Sequence, residues 1–266
     1  MGHRRTLRDA RLLITGASQG IGRSLAERAA DRGARVLAAA RSLELLQDLQ
    51  TTVRQRGQVL EIVQADVTRP ADRQRLMDAA LHHFGGLDIL INNAGIGATG
   101  PFADCAPERL RTIMEVNVFG LTETTRLFIP LLKQGNRPAI VNVSSVLGKR
   151  AVPGMSEYCA SKFAVQGFSE ALRAELAKDG VDVLVVNPGR TRTEFNQHQL
   201  ERKSRRVFAS YSGGQSPERV AKATLRALEC GKNEISLTVP GKLLVLVNRF
   251  MPRLLNWLLA REARKL

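Results

Sequence analysis

The sequence predicts an α/β fold: a three-layer sandwich with a mostly seven-stranded parallel sheet. Three observations predict it. Short apolar runs of strand length alternate with helical stretches along the whole chain. Those runs are apolar nearly throughout, as expected of strands covered on both faces. The 266 residues are 44% hydrophobic, enough for one core, and no Pro/Gly/Ser-rich linker or repeat divides them.

RLLITGA (11–17) reads as the first strand and its turn. A helical pattern over 20–32 stops at Gly33, and ARVLAAAR (34–41) is the second strand. A polar helix to about Gln55 precedes the strand VLEIVQADV (59–67). Pro70 opens a helix to Phe84, with His82 and His83 at its polar end, and LDILINNAG (87–95) follows. One long helical region spans 107–134, then come AIVNVSS (139–145), a helix over 156–178 and VDVLVVNPG (181–189). A helix from Pro217 to Glu229 and the strand EISLTV (234–239) complete the pattern. Ligands of such sheets bind at the carboxyl ends of the strands, so the chemistry should lie there.

The first strand ends in TGASQGIG (15–22), which places Gly16, Gly20 and Gly22 between a strand and a helix, with Ser18 and Ile21 among them. Glycine lets the backbone turn tightly and approach a pyrophosphate, and the helix N-terminus offers free amides and a positive dipole end. The architecture is therefore Rossmann-type, although the spacing differs from G-x-G-x-x-G. At the end of the second strand Ala40 is followed by Arg41, with no carboxylate. A guanidinium suits a 2′-phosphate where a carboxylate would repel it, so NADP(H) is expected over NAD(H).

Tyr158 and Lys162 stand four apart in a helical stretch and share a face. An ammonium held near a phenol should lower its pKa from about 10. That would make Tyr158 an acid/base able to work near neutral pH.

These motifs, in order over roughly 10–195, resemble the short-chain dehydrogenase/reductase family, in the manner of an NADP-preferring hydroxysteroid dehydrogenase-like reductase. TGASQGIG matches the family's glycine loop, and Asp66-Val67 stands where the family contacts adenine. Asn92-Asn93-Ala94-Gly95 matches its NNAG element, and Asn117 its helix asparagine. Of Ser144 and Ser145, the family's spacing of about thirteen residues before the tyrosine selects Ser145. Tyr158 and Lys162 match YxxxK; Pro188, Gly189 and Thr193, with Thr191 between them, match PGxxxT.

The resemblance implies an NADP-dependent oxidoreductase interconverting a carbonyl and a secondary alcohol. Its catalytic residues would be Asn117, Ser145, Tyr158 and Lys162. Ser145 would bind the substrate oxygen, Tyr158 would exchange its proton, Lys162 would also bind the nicotinamide ribose, and Asn117 would hold a relay water. Ser18, Ile21, Asp66, Val67, Asn93, Ala94, Gly95, Pro188, Gly189, Thr191 and Thr193 would contact the cofactor. Arg190 and Arg192 depart from the family pattern and leave the substrate wall open. A homodimer or homotetramer is implied, built through the helices near 107–134 and 156–178. The alternative on the same fold is a catalytically quiet regulatory or membrane-surface protein.

Residues 194–217 are expected to form a substrate lid, crowded by Arg202, Lys203, Arg205 and Arg206, with Gly213-Gly214 as its hinge. Residues 241–266 form a C-terminal extension with six basic residues, the acid Glu262 and one tryptophan, Trp257; Pro252 should break it. It reads as an interfacial helix for an anionic membrane surface, or as a helix pair that caps the cleft or packs on another subunit. An apolar tail beside the cleft points to a lipophilic carbonyl or alcohol. Lys+Arg 40 against Asp+Glu 25 gives a net charge of +15. No zinc-finger, homeodomain or RNP-like motif accompanies it, so no specific nucleic-acid partner is expected. Cys105, Cys159 and Cys230 are isolated, so neither a metal site nor a disulfide framework is expected. Cys159 reads as packing. The chain has no apolar leader ahead of its first strand and is expected in the cytoplasm, or peripheral on a membrane.

Overall fold

A computed structural model describes residues 2–196, 200–202 and 214–264. The seven strands β1 (Arg11–Thr15), β2 (Arg35–Ala40), β3 (Leu60–Gln64), β4 (Ile89–Asn92), β6 (Ala139–Val143), β7 (Asp182–Asn187) and β9 (Glu234–Ser236) pair in the order β3-β2-β1-β4-β6-β7-β9. All their pairings are parallel. The order reverses between β1 and β4, the switch point at which such sheets open a crevice.

Side chains alternate across the sheet. Leu12, Ile14, Val36, Ala38, Val141 and Val186 enter one apolar cluster with α1 (Gly20–Ala30), α2 (Leu43–Arg54) and α7 (Pro217–Glu229). Leu13, Leu37, Leu90, Ile140 and Val183 enter the other, with α3 (Pro70–Phe84), α5 (Gly120–Leu132) and α6 (Ser156–Glu175). The strands are apolar on both faces because both are covered. At the amino-end rim, Asp88 receives the Arg11 guanidinium at 2.7 and 3.0 Å and the Asn136 amide at 2.7 Å.

Three elements differ from the sequence expectation. The long helix over 107–134 is α4 (Pro107–Met114) and α5 joined by one wide π-helical turn, Glu115–Phe119. The last strand stops at Ser236, because the Thr238 hydroxyl caps the next helix by accepting the Gly241 amide at 3.1 Å. A small second sheet pairs β5 (Ala98–Thr99) with β8 (Leu200–Arg202) beside the switch point. Of the expected lid, Lys203, Arg205, Arg206 and Gly213 lie outside the described residues. The C-terminal segment is α8 (Val239–Phe250) and α9 (Pro252–Ala263), divided at Pro252 as expected.

Candidate active site

The glycine loop leaves β1 and is folded as tightly as its composition suggests. Gly16 and Gly20 have φ of 65° and 55°, where a side chain is strained. A Cβ on Gly16 would lie 2.7 Å from the Ala94 Cα; one on Gly22 would lie 2.2 Å from the Gly16 carbonyl oxygen. Thr15 Oγ1 accepts the amides of Asn93 and Ala94 at 3.1 Å each, and Asn93 Nδ2 donates to the carbonyls of Thr15 and Gly16. The NNAG element is thereby laced to the loop across the switch point. Ser18 and Ile21 are half-buried within the loop. The first turn of α1 holds no acid and Gln19 gives no side-chain cap, so the positive end of the helix dipole stays uncompensated. Thr193 closes the far side: a Cβ on Gly20 would meet its Cγ2 at 3.0 Å.

At the carboxyl ends of β2 and β3 a cavity of about 290 Å³ is lined by Arg41, Gln64, Asp66, Arg69, Asp72 and Arg75. Arg75 is committed to Asp72 at 3.0 Å and to the Gln64 carbonyl. Arg41 and Arg69 have no ion pair or side-chain hydrogen bond among the described residues. Burial would raise the Asp66 carboxyl, but hydrogen bonds from Thr68 and the charges of Arg41 and Arg69 hold it below its ordinary value. Val67, the next residue, is buried against Gly120 at the start of α5, and its carbonyl accepts the Arg73 guanidinium at 2.7 Å.

Further along the crevice the polar residues converge. Asn117 sits fully buried on the wide turn; its Oδ1 accepts the Ile96 amide at 2.8 Å, and its Nδ2 donates to the Ile96 carbonyl and to Ser161 Oγ at 3.0 Å. Ser161 donates in turn to the Tyr158 carbonyl at 2.7 Å, which fixes the first turn of α6 to the wide turn. Gly95 lies against both Asn117 Oδ1 and Lys162 Nζ. The two serines point apart, as successive residues of an extended segment do. Ser144 Oγ donates to the Lys162 carbonyl, whereas Ser145 Oγ accepts the Leu147 amide and shares a hydrogen bond with Tyr158.

Tyr158 and Lys162 are both buried, with Nζ 5.7 Å from the centre of the phenol ring. The expected lowering of the Tyr158 phenol by Lys162 is not found here. Burial pushes its phenol up to about 12 despite the hydrogen bond with Ser145, and burial also pulls Lys162 down to about 8. Nζ donates to the Val143 carbonyl at 3.0 Å, which directs the ammonium at a backbone oxygen, while burial disfavours its charged form.

Pro188 gives its carbonyl to the Val146 amide at 3.0 Å, next to Ser145. Gly189 leaves no room for a side chain, since a Cβ would meet Thr238 Oγ1 at 2.2 Å. Thr191 Oγ1 donates to the Gly189 carbonyl, which stiffens the loop that carries Thr193. Every expected site residue thus falls on one rim of the sheet.

Four residues were missed from sequence. Ser161 links Asn117 to the tyrosine helix; its place three residues after Tyr158 was the available signal. Arg69 shares the cavity with Arg41 and could have been found by pairing basic residues after neighbouring strands. The Phe195 ring meets Tyr158 edge-on at 5.9 Å. Buried Arg109 bridges α4 to Glu157, beside the tyrosine. Cys159 packs with Val152, Leu255 and Leu259, as expected of an apolar neighbour.

Comparisons with known proteins place this geometry. Residues 10–204 match the family model for short chain dehydrogenase. The chain is 33% identical over 258 residues to the uncharacterized oxidoreductase YxnA of Bacillus subtilis, covering 96% of this chain and 72% of that one. It is 32% identical to the dehydrogenase/reductase SDR family member 7B of Bos taurus, covering 97% and 83%. A short chain dehydrogenase/reductase from Burkholderia phymatum, solved with NAD, superimposes with a TM-score of 0.86 at 27% identity, covering 94% and 96%. One from Burkholderia cenocepacia, solved with NADP, gives 0.82 at 30% identity, covering 96% and 99%. With that match across its crevice and core, the chain belongs to the short-chain dehydrogenase/reductase family.

Proposed function

We propose that this protein is an NADP(H)-dependent oxidoreductase that interconverts a carbonyl and a secondary alcohol on a lipophilic substrate. The observation that carries the cofactor choice is the pair Arg41 and Arg69, two guanidiniums on one cavity with no described partner but Asp66 through space. Two such groups suit a 2′-phosphate, and no carboxylate follows β2 to receive a 2′-hydroxyl. The residues present fit the cofactor: the glycine loop is a cradle with no space for Cβ atoms, and the uncompensated end of α1 favours a pyrophosphate. Gly95, Asn93, Ala94, Pro188, Gly189, Thr191 and Thr193 would line the path to the nicotinamide. Bound there, the nicotinamide supplies or accepts the hydride.

The chain's own residues do the rest. Ser145 donates a hydrogen bond to the substrate oxygen and stabilises developing alkoxide charge. Tyr158 transfers a proton to that oxygen; a phenol held at about 12 stays protonated at neutral pH, which suits the reductive direction. Lys162 holds the ribose side of the cofactor, and Asn117 with Ser161 fixes the helix that carries Tyr158. Phe195, whose ring meets Tyr158 edge-on, supports an apolar substrate. The protein works as a homodimer or homotetramer, a reading supported by Phe119 on the wide turn and Phe163 on α6, both large and exposed.

The test is oxidation of NADPH and NADH over a series of carbonyl compounds graded in size and polarity. NADPH should be preferred, and Arg41→Ala or Arg69→Ala should each lower kcat/KM for NADPH by about 10–100-fold, with NADH little changed. Tyr158→Phe should lower kcat by about 10²–10⁴-fold while NADPH still binds. Equal efficiency with NADH overturns the cofactor assignment, and unimpaired turnover by Tyr158→Phe removes it as the acid.

A further inference from the structure

Helices α8 and α9 each carry two apolar stripes where a surface helix needs one. The inner stripe is used: Leu244, Val247, Leu255 and Leu259 pack with Val152 and Cys159. The outer one has no packing partner among the described residues. Leu243, Leu246 and Phe250 recur at helical spacing on α8, and Leu254, Trp257 and Leu258 on α9. All six are exposed, Phe250 by 71% and Trp257 by 58%.

Charge frames this face. Lys242, Arg249, Arg253, Arg261 and Arg264 are exposed on the two helices, against the acid Glu262. Two of the cations sit over the exposed rings, Arg249 on Phe250 and Arg261 on Trp257, each 5.9 Å from the ring centre. An aromatic ring topped by a guanidinium matches the boundary between acyl chains and headgroups, where the ring is buried and the cation stays at the polar edge. No helix among the described residues is long and apolar enough to cross a bilayer, so the face would lie on a membrane.

We propose that the outer face of α8 and α9 docks on an anionic lipid surface, with Phe250 and Trp257 at the headgroup boundary. A second copy fits less well. In a two-fold contact the same patch meets itself, so the five cations would face five more. Anionic headgroups supply the opposite charge instead. The inner stripe of the same helices shares its cluster with Cys159, the neighbour of Tyr158. Resting on the proposed reductase function, docking would hold the helix that carries Tyr158 close to the membrane, which favours a lipid-soluble carbonyl as substrate.

Trp257 is the chain's only tryptophan, so its emission reports this face alone. The full-length protein is mixed with phosphatidylcholine vesicles with and without phosphatidylglycerol. With the anionic vesicles, emission should shift to the blue, be quenched by brominated acyl chains and revert at raised salt. Leu246→Ser and Phe250→Ser, both exposed positions, should lose the shift while keeping the circular dichroism of the parent. Unchanged emission overturns the proposal, as does an equal response to vesicles of phosphatidylcholine alone. A shift that grows with protein concentration without lipid also overturns it, in favour of a second copy. No turnover is measured here, so failure of docking and failure of the reductase reading are told apart by the NADPH assay in solution.

Discussion

Tyr158 and Lys162 depart from their ordinary values in opposite directions, the phenol pushed up to about 12 and the ammonium pulled down to about 8, both by burial. For Lys162 the consequence is a pH-dependent stability. The unfolded lysine keeps its proton to about 10.5, while the folded one gives it up near 8. Between those values the unfolded chain holds the extra proton, so stability rises with pH, by roughly 3 kcal/mol over the full window. Tyr158 acts with the opposite sign only above about 10, where the unfolded phenol ionises first. Urea unfolding at pH 8 and pH 10 should therefore show the parent gaining stability relative to Lys162→Met. At pH 7 that variant should be the more stable protein and the inactive one. Parallel curves for the two proteins would show that Lys162 is not held at a lowered pKa.

Among the elements, the glycine loop has the least tolerance for change. A methyl on Gly22 would press on the Gly16 carbonyl and on Asn93 Nδ2, 2.5 Å away, so the loop must open. Gly22→Ala should weaken NADPH binding by about tenfold or more, roughly 1.4 kcal/mol, in a fluorescence titration. Undiminished affinity would mean that the loop yields without cost. Most elements were legible in the sequence because their ends carry chemistry. Helix α3 begins at Pro70 and ends against Gly85 at φ 67°, both readable as start and stop signals. The wide turn at 115–119 was not legible, since its residues continue the helical pattern; what sets it is the clasp of Asn117 on Ile96 and Ser161, which only the fold brings together. The β5-β8 pair escaped because two- and three-residue strands carry no periodicity. The candidate site was legible in its motifs, but the titration of its central pair was not, because the burial that shifts both groups is a tertiary fact.

For the whole molecule, the proposed oligomer makes a direct demand on Phe119 and Phe163, which are 49% and 45% exposed. Phe163→Glu should convert the parent to a monomer in sedimentation velocity, and a parent that already sediments as a monomer refutes the oligomer. The surplus of +15 keeps copies apart except where such apolar faces meet. The sheet itself divides the molecule's obligations. Its carboxyl-end rim bears every residue assigned to chemistry, while its amino-end rim is held by Asp88 with Arg11 and Asn136. Selection, natural or in the laboratory, can raise heat tolerance at the amino-end rim without renegotiating turnover. The same parallel polarity that gathers the reactive groups gives the protein a separate workshop for its own durability.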